Sequence, residues 1–350
     1  PYRGKFHPQM IKGLMNVMGL TPGKTVLDPM MGSGTVLVEA ALMGIHSIGV
    51  DASPFCRFMA QTKVDVLTMS LARARKAMNN ADEVFAYFRS RVGHPESGRK
   101  VKAEAHSQRD WVVKEPPAEY LCGRSSEDLE GRTKDTVDTY NFLLLAYLDA
   151  SGYSERSERK TPVEQFRAIL QRYVFVAEKI QAALAVTTES LGSTQLRQGD
   201  ARALPVEEGT IDGIIFSPPY SFAIDYLDND AFHLKYLGVD IAALQDSMIG
   251  LRGRTLDEKF ALYRADMQQV LSECSRVLRP GAVCTIIVGT NSNQLSKVFR
   301  IPVAEVPGLH DLLVEMAKPH GLRLVRMMSR SIIGMSNTMR KEQILLLRKG

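Results

Sequence analysis

The chain has 350 residues, of which 44 are lysine or arginine and 39 are aspartate or glutamate, so its formal net charge is +5. Residues 318–350 alone contain eight basic residues and one acid, a net charge of +7, and the rest of the chain nets −2. Such a modest and local excess is compatible with a nucleic-acid partner, but it excludes a histone-like or polybasic binder.

The cysteines indicate neither a bound metal nor a disulfide framework. Cys56, Cys122, Cys274 and Cys284 lie far apart and form no CxxC pair, and no histidines stand near them at metal-ligand spacing. No metal site is predicted, and a reducing cytoplasm is the expected compartment. No apolar run approaches the roughly 20 residues that a membrane span needs, so no membrane partner is expected.

The first predicted elements form a βαβ unit. A β-branched run at 24–28 ends in Asp28, a glycine-rich turn follows, and a helical pattern of apolar residues runs to Gly44. A second buried strand, 47–51, again ends in an acid, Asp51. Two strands joined by a helix are the opening of a parallel α/β sheet.

The third strand does not follow where a compact α/β domain would place it. Residues 65–191 instead show helical patterns around a polar, turn-rich middle, which predicts a mostly helical insertion. The insertion separates a first half of the sheet domain, 1–64, from a second half, 192–350. It is a candidate for target recognition, and a structural or partner-binding role is the alternative.

Sheet patterns resume after the insertion. Strands are predicted near 195–197 and at 211–216, 283–288, 322–333 and 343–347, with helices at 263–278 and 313–318. Arg279-Pro280-Gly281 predicts a turn before the strand at 283–288.

The glycine-rich turn after Asp28 suits a ligand that the backbone must approach closely, next to the free N–H groups of a helix N-terminus. It lacks the lysine of a GxxxxGK[ST] phosphate loop, and Asp28 would repel a phosphate. A ligand with a positive amino group fits better, and Asp51 suits a ribose diol. The combination predicts a site for an amino-acid-bearing nucleoside. Taken alone, the turn could be a mere connection and Asp51 a helix N-cap.

A second candidate segment, Ser217-Pro218-Pro219-Tyr220, directly follows the buried strand at 211–216. Open α/β sheets bind ligands at this end of their strands. Two prolines fix the backbone and donate no hydrogen bonds, so the local carbonyls are pure acceptors. Together with the Ser217 hydroxyl they suit an exocyclic amino group, and Tyr220 offers a face on which a base can stack.

These two segments resemble the motifs of a known enzyme family. Asp28-Pro29-Met30-Met31-Gly32-Ser33-Gly34-Thr35 resembles the S-adenosyl-L-methionine (AdoMet) motif of the methyltransferases that act on amino groups of DNA bases. Ser217-Pro218-Pro219-Tyr220 resembles their catalytic motif, (D/N/S)PP(Y/F). A related group of tRNA guanine-N2 methyltransferases carries the same pair. The resemblance covers residues 1–64 and 195–350, and it implies an α/β, Rossmann-like methyltransferase fold with a seven-stranded, mostly parallel sheet.

The resemblance also implies roles for individual residues. Phe6 would pack against the methionine part of AdoMet, Asp51 would bind the ribose hydroxyls and Asp200 would lie near the adenine. For Phe6 the alternative is a loose N-terminal arm, and for Asp200 a simple Gly-Asp turn. The residues that would hold AdoMet are Phe6, Asp28, Pro29, Gly32, Ser33, Gly34, Thr35, Asp51 and Asp200. Those that would carry catalysis are Ser217, Pro218, Pro219 and Tyr220.

Serine at position 217 favours cytosine N4 in DNA as the target, because in this family SPPY is associated mainly with that reaction. The AdoMet motif precedes the catalytic motif, however, which is the layout of the tRNA guanine methyltransferases. The leading interpretation is a DNA cytosine-N4 methyltransferase of a modification or restriction-modification system, with a cognate restriction enzyme as a candidate partner. An RNA guanine-N2 methyltransferase is the alternative enzyme, and a nonenzymatic AdoMet-fold scaffold is the alternative of another class.

The expected reaction is a direct methyl transfer to a flipped-out base. Ser217 Oγ and the Pro218 carbonyl would accept the two amino hydrogens, which frees the nitrogen lone pair for in-line attack. The proton would leave to Ser217 or to water, and the base would stack on Tyr220.

Other segments are candidates for contact with the substrate. The segment after the catalytic motif could line the base pocket, with a capped helix start as the alternative, and a basic loop near 252 could reach phosphate, with solvated arginines as the alternative. The predicted substrate-binding residues are Asp225, Tyr226, Arg252 and Arg254. The basic end of the chain predicts a local rim whose members include Arg330, Arg340 and Lys341.

Overall fold

A computed structural model describes residues 6–91, 134–154, 160–187, 190–219, 226–331 and 341–350. Tyr220, Asp225 and Arg340 therefore lie outside the described residues, and so does the side chain of Tyr226. No helix in the described part of the chain is long and apolar enough to cross a membrane.

The described strands form one sheet of seven, in the order β3-β2-β1-β4-β5-β7-β6. The first five strands pair in parallel, and β7 runs antiparallel to both of its neighbours. This architecture confirms the predicted α/β fold with a mostly parallel sheet of seven strands. The strands are β1 (Thr25–Asp28), β2 (His46–Asp51), β3 (Thr194–Gln198), β4 (Ile211–Phe216), β5 (Leu278–Gly289), β6 (Leu322–Ser331) and β7 (Lys341–Lys349).

Helices of the described residues connect these strands and form most of the stretch between β2 and β3. They are α1 (Pro8–Val17), α2 (Thr35–Leu42), α3 (Pro54–Asp65), α4 (Ala72–Asn79), α5 (Ala81–Arg89), α6 (Lys134–Ser154), α7 (Pro162–Leu184), α8 (Tyr226–Tyr236), α9 (Ile241–Ser247), α10 (Leu256–Val277), α11 (Ser292–Phe299) and α12 (Leu309–Ala317).

The chain divides into two compact units. One unit is mainly Phe58–Thr188 together with Leu227–Ile241, and its described elements are helical. The other holds the whole sheet and comprises Gly4–Arg57, Glu189–Tyr226 and Ala242–Gly350. The helical unit thus takes in all of α8 but its first residue, and residues 65–188 of the predicted insertion. Helix α8 follows the predicted catalytic motif in sequence. The domain boundaries at 64 and 191 stay a prediction.

Helix α10 begins seven residues earlier than the apolar pattern predicts, at Leu256. Thr255 precedes it in extended conformation, and its side chain accepts a hydrogen bond from the Glu258 backbone N–H, which satisfies one of the unpaired donors of the first turn. The negative charges of Asp257 and Glu258 in the first turn also stabilise the start of the helix, because they interact with the positive end of the helix dipole. The cap therefore sets the start of the helix, and the apolar face develops only one turn later.

The turn predicted at Arg279-Pro280-Gly281 is a bulge within a longer strand. Ile211 pairs with Leu278 and Gly213 pairs with Val283, so four residues of β5 stand opposite one residue of β4. Gly281 takes a left-handed φ of 75°, which the bulge requires and glycine adopts without strain. The chain turns locally there, and the strand continues on both sides.

We predict that replacing Gly192 with alanine destabilises the sheet unit. A Cβ at this position would lie 2.0 Å from the Ile45 carbonyl oxygen and 2.4 Å from its carbon, which are backbone atoms that cannot move aside easily. Such overpacking costs about 1–3 kcal/mol. Gly13 is the matched control, because a Cβ there meets nothing within 4 Å and alanine favours its helix. Urea unfolding should show a loss for Gly192→Ala and no loss for Gly13→Ala; equal midpoints would contradict the crowding at Gly192.

Candidate functional site

The turn between β1 and α2 is built on two glycines with left-handed backbones. Gly32 and Gly34 have φ angles of 46° and 73°, where side chains are strained. Gly34 is the N-cap of α2 and has no side chain to cap the helix, so the first turn keeps N–H groups for a ligand. Ser33 and Thr35 complete the turn with hydroxyl oxygens 3.5 Å apart.

Asp28 ends β1 with a buried carboxylate that is only half satisfied. The residue is 1% exposed, and its Oδ1 accepts a hydrogen bond of 3.1 Å from the Met30 backbone N–H. Its Oδ2 is also buried and has no hydrogen-bond partner among the described residues. Burial raises the pKa of Asp28 well above its ordinary value of 3.8. A buried acceptor of this kind is costly unless a donor reaches it, and a ligand ammonium group would supply one.

Asp51, at the end of β2, fastens the glycine turn to the sheet. Its Oδ2 accepts a hydrogen bond from the Gly32 backbone N–H, and its Oδ1 accepts one from Ser53, both at 2.9 Å. Burial raises the pKa of Asp51 in spite of these two bonds. The Cys56 side chain also hydrogen-bonds to this carboxylate, which still leaves it a lone pair, so the ribose contact predicted for Asp51 is compatible with this structural role and stays a prediction.

Asp200 follows β3 and is held by Arg202. The guanidinium donates to both carboxylate oxygens, with its Nη2 2.6 Å from Oδ2, and the Arg202 backbone N–H donates to Oδ1 at 2.8 Å. Burial opposes ionisation, but these hydrogen bonds and the charge of Arg202 outweigh it and lower the pKa of Asp200. The Gly199 N–H donates to the Asp51 carbonyl at 2.9 Å, which ties the end of β3 to that of β2. The adenine contact of Asp200 stays a prediction.

Arg252 already takes part in an internal ion pair. Its guanidinium contacts the carboxylate of Asp266 on α10, which is 3% exposed and also accepts a 2.8 Å hydrogen bond from Arg202. A phosphate contact by Arg252 would compete with this pair. Arg254 is exposed, and its backbone N–H donates to Glu258. Contact of either arginine with a substrate stays a prediction.

The predicted catalytic motif follows β4 directly, and the structure describes its first three residues. Ser217 Oγ donates a weak hydrogen bond of 3.4 Å to the Pro218 carbonyl. The Pro219 carbonyl accepts a hydrogen bond of 3.1 Å from the hydroxyl of Tyr263, a fully buried residue of α10. This hydrogen bond from within the chain fixes the direction of the Pro219 carbonyl.

Sheet topology brings the predicted residues of the site to one edge. β3, β2, β1 and β4 are adjacent and parallel, so the residues at their ends share the carboxyl edge of the sheet. Phe6 lies apart in sequence, two residues before α1, and is partly buried. The residues at or just after these strand ends are Asp200, Asp51, Asp28 and Ser217.

The sequence did not single out Tyr263 or Asp266. Both are buried polar side chains three residues apart on α10, so they share one face of that helix. Two polar residues on an otherwise apolar helix face are the sequence signal that could have indicated buried hydrogen bonds there. Their partners, Pro219 and Arg202, are distant in sequence, and only the folded chain shows the contacts.

Comparison with known proteins finds that this chain is similar to methyltransferases. Residues 2–108 match the model of the RMKL-like methyltransferase domain. The type II methyltransferase M.BsoBI of Geobacillus stearothermophilus is 23% identical over 75% of this chain and 56% of its own length. The type II methyltransferase M.MjaII of Methanocaldococcus jannaschii is 24% identical over 85% of this chain and 73% of its own length.

A third relative matches a shorter segment. The tRNA (guanine(10)-N2)-dimethyltransferase of Methanothermobacter thermautotrophicus is 38% identical over 50 residues, which are 14% of this chain and 15% of the relative. The chain spans only about half the length of M.BsoBI, 56%. The chain thus resembles AdoMet-dependent methyltransferases, and the half-satisfied carboxylate of Asp28 fits the ammonium group of that cofactor.

We predict that Asp28 makes the ligand-free chain less stable as the pH rises. Because its pKa is raised in the folded state, the folded chain keeps a proton that the unfolded chain releases above pH 3.8. The free energy of unfolding of the wild type should therefore fall, relative to Asp28→Asn, as the pH rises from 3.8 towards the raised value. Urea titrations at several pH values measure this difference. The exposed substitution Asp246→Asn controls for the lost charge; parallel curves for wild type and Asp28→Asn would contradict the prediction.

Proposed function

We propose that this chain, which resembles AdoMet-dependent methyltransferases, methylates an exocyclic amino group of a nucleic-acid base, with cytosine N4 in DNA as the target. The observation that carries the proposal is the pairing of two features on adjacent strands. β1 ends in a buried carboxylate oxygen without a partner among the described residues, and β4 runs into a pair of acceptors, Ser217 Oγ and the Pro218 carbonyl.

The residues on β1 and β2 fit the binding of AdoMet. When bound, AdoMet supplies an electrophilic methyl group on its sulfonium centre. Asp28 Oδ2 is the acceptor for its ammonium group, and the N–H groups that open α2 lie at the same turn. Asp51 offers its remaining lone pair to a ribose hydroxyl. The other residues proposed to hold the cofactor are Phe6, Pro29, Gly32, Ser33, Gly34, Thr35 and Asp200.

The catalytic motif prepares the amino nitrogen that receives the methyl group. Tyr263 holds the carbonyl of Pro219 in place, and we assign the carbonyl of Pro218 and the hydroxyl of Ser217 as the acceptors of the two amino hydrogens. Accepting both hydrogens draws the nitrogen lone pair out of conjugation with the base. The proton that the nitrogen loses on methylation passes to water, either directly or through the Ser217 hydroxyl, which accepts it and gives its own proton to water.

The present separation of the two acceptors requires Ser217 to move when a base binds. Two acceptors that each lie about 2.9 Å from the same amino nitrogen are roughly 5 Å apart. Ser217 Oγ and the Pro218 oxygen are 3.4 Å apart, because the hydroxyl donates to that carbonyl. A rotation of the Ser217 side chain breaks this weak bond and opens the pair. The amino group of a substrate can therefore replace the serine hydroxyl as the donor to the Pro218 carbonyl.

Several observations support DNA and cytosine. The long matches, over 75% and 85% of the chain, are to type II methyltransferases, whereas the tRNA enzyme matches 14%. Serine at position 217 is the residue that the family associates mainly with cytosine N4. A restriction enzyme of the same specificity belongs to this proposal as the partner, and a flipped-out base stacked on Tyr220 belongs to its mechanism.

An RNA guanine-N2 methyltransferase is the second candidate. The 38% identity to the tRNA dimethyltransferase over 50 residues and the order of the two motifs favour it. Both candidates use the same acceptors for an exocyclic amino group, so they differ in the polymer and the base and share the chemistry.

Methyl transfer from AdoMet labelled in the methyl group tests the proposal directly. Duplex DNA and bulk tRNA are offered separately, and the product is digested to nucleosides for identification. We expect N4-methylcytosine from DNA, and we expect Ser217→Ala to abolish the transfer while AdoMet binding by calorimetry stays unchanged. N2-methylguanosine from tRNA would establish the second candidate. Full activity of Ser217→Ala would contradict the assigned role of the motif.

We further predict that Tyr263→Phe slows methyl transfer. The substitution removes only the hydroxyl that holds the Pro219 carbonyl, so the neighbouring carbonyl of Pro218 loses its fixed direction. Misplacing a reacting group by a fraction of an ångström should lower kcat between about tenfold and a hundredfold. Measured KM for AdoMet should change little.

Tyr236→Phe is the matched control for this change. The Tyr236 hydroxyl also donates to a backbone carbonyl, that of Phe88, at the same distance of 3.1 Å, but within the helical unit. Both variants lose one comparable hydrogen bond, so their melting temperatures should fall alike while only Tyr263→Phe loses kcat. Equal kcat in the two variants would exclude a positioning role for Tyr263.

A further inference from the structure

Within the basic rim that the sequence predicts, Arg330 has a partner inside the chain. Arg330 donates two hydrogen bonds to Oε2 of Glu342, at 3.1 and 2.7 Å, so its charge is compensated within the hairpin of β6 and β7. Arg340 lies outside the described residues, and Lys341 is exposed at the start of β7. The arginines of this end that form no ion pair among the described residues are Arg323, Arg326 and Arg348, and all three are exposed.

A β-bulge places these arginines on one face. Arg323 pairs with Arg348 and Arg326 pairs with Leu346, and the register shifts between Leu324 and Arg326. In a regular strand, residues 323 and 326 would point to opposite faces, because side chains alternate. The bulge adds one residue to β6 and so shifts the alternation of its side chains by one position. Arg323 and Arg326 therefore lie on the same face as Arg348.

The cross-strand pair of Arg323 and Arg348 is unfavourable for the chain by itself. Side chains directly opposite each other on antiparallel strands lie about 4.5–5.5 Å apart at Cβ, and like charges there destabilise the sheet. An anion between the guanidinium groups converts this repulsion into attraction. Arginine is suited to this, because its planar fork binds phosphate with two hydrogen bonds.

The face lies within reach of a duplex whose target base enters the site. Arg326, Leu346, Thr285 and Ile215 form one row across the sheet, so Arg326 stands level with a residue two places before Ser217. Three strand spacings of about 4.8 Å and two residues of about 3.3 Å put it roughly 16 Å from Ser217. The backbone of a duplex covers that distance in about five base pairs, at about 3.4 Å per pair along the axis.

We propose that Arg323, Arg326 and Arg348 form a binding surface for the phosphate backbone of duplex DNA flanking the target base. This inference rests on the proposed function, because the nucleic acid is its substrate. The surface reads no sequence; it adds affinity and fixes the duplex relative to the sheet. Its arginines make no contact with the reacting base.

Binding of a fluorescent duplex oligonucleotide, measured by anisotropy between about 50 and 200 mM KCl, tests the surface. Each phosphate contact contributes about 0.9 to the slope of log K against log salt. The double variant Arg323→Ala/Arg326→Ala should therefore bind more weakly and lower the slope by about 1.8. Arg323→Glu/Arg326→Glu should weaken binding further. At saturating DNA both variants should keep the wild-type kcat.

The control Lys24→Ala/Arg279→Ala removes the same number of charges elsewhere. Both side chains are about half exposed and pair with Asp212. An unchanged slope in the Arg323→Ala/Arg326→Ala variant, or an equal loss in the control, would overturn the surface. A loss confined to a tRNA probe would overturn its assignment to duplex DNA. If the slope changes as expected but the protein methylates no base, the proposed function is wrong and the binding surface is supported. If the wild type binds no duplex, both proposals are wrong.

Discussion

The buried carboxylate of Asp28 is the constraint around which the site is arranged. One of its oxygens is bonded to the Met30 N–H, and the other is buried without a partner among the described residues. A folded chain keeps such an atom only where the surrounding structure enforces it, and functional sites are where this happens. Asp51 provides part of that enforcement, because it binds the N–H of Gly32 and so fixes the turn against β2. A donor that binds this oxygen recovers the free-energy cost of burying it without a partner.

Helix α10 is the second organising element of the sheet unit. Along its buried side Tyr263 holds the Pro219 carbonyl, Asp266 binds Arg202, and Glu273 accepts the backbone N–H of Leu204 at 2.8 Å. The segment after β3 and the predicted catalytic motif after β4 are thus both bound to the same helix. Binding groups on two loops keep their relative positions best when the same rigid element supports both. This explains how short turns without secondary structure can present acceptors with defined directions.

The sequence was sufficient for the features that depend on local pattern. Strand and helix periodicity predicted the α/β sheet, and the two motifs placed Asp28 and Ser217 at the ends of strands, where ligands bind in such folds. The structure has both residues there, and their roles stay predictions. The start of α10 was placed late, since the cap at Thr255 is polar and the helix begins before its apolar face does. The roles of Tyr263 and of the β6 bulge were beyond local pattern. Each depends on which distant residue lies opposite, and one inserted residue reverses the face of every side chain that follows.

The central claim is that the unpartnered oxygen of Asp28 binds the ammonium group of the cofactor. Calorimetry with S-adenosyl-L-homocysteine and with its analogue that lacks the α-amino group, on wild type and on Asp28→Asn, measures this interaction as a coupling. A hydrogen bond to a charged group is worth about 1.5–3 kcal/mol, so the wild type should bind the analogue about tenfold to a hundredfold more weakly. Asp28→Asn should distinguish the two ligands far less. An equal loss of affinity in both proteins would contradict the account, because the ammonium group would then be bound elsewhere.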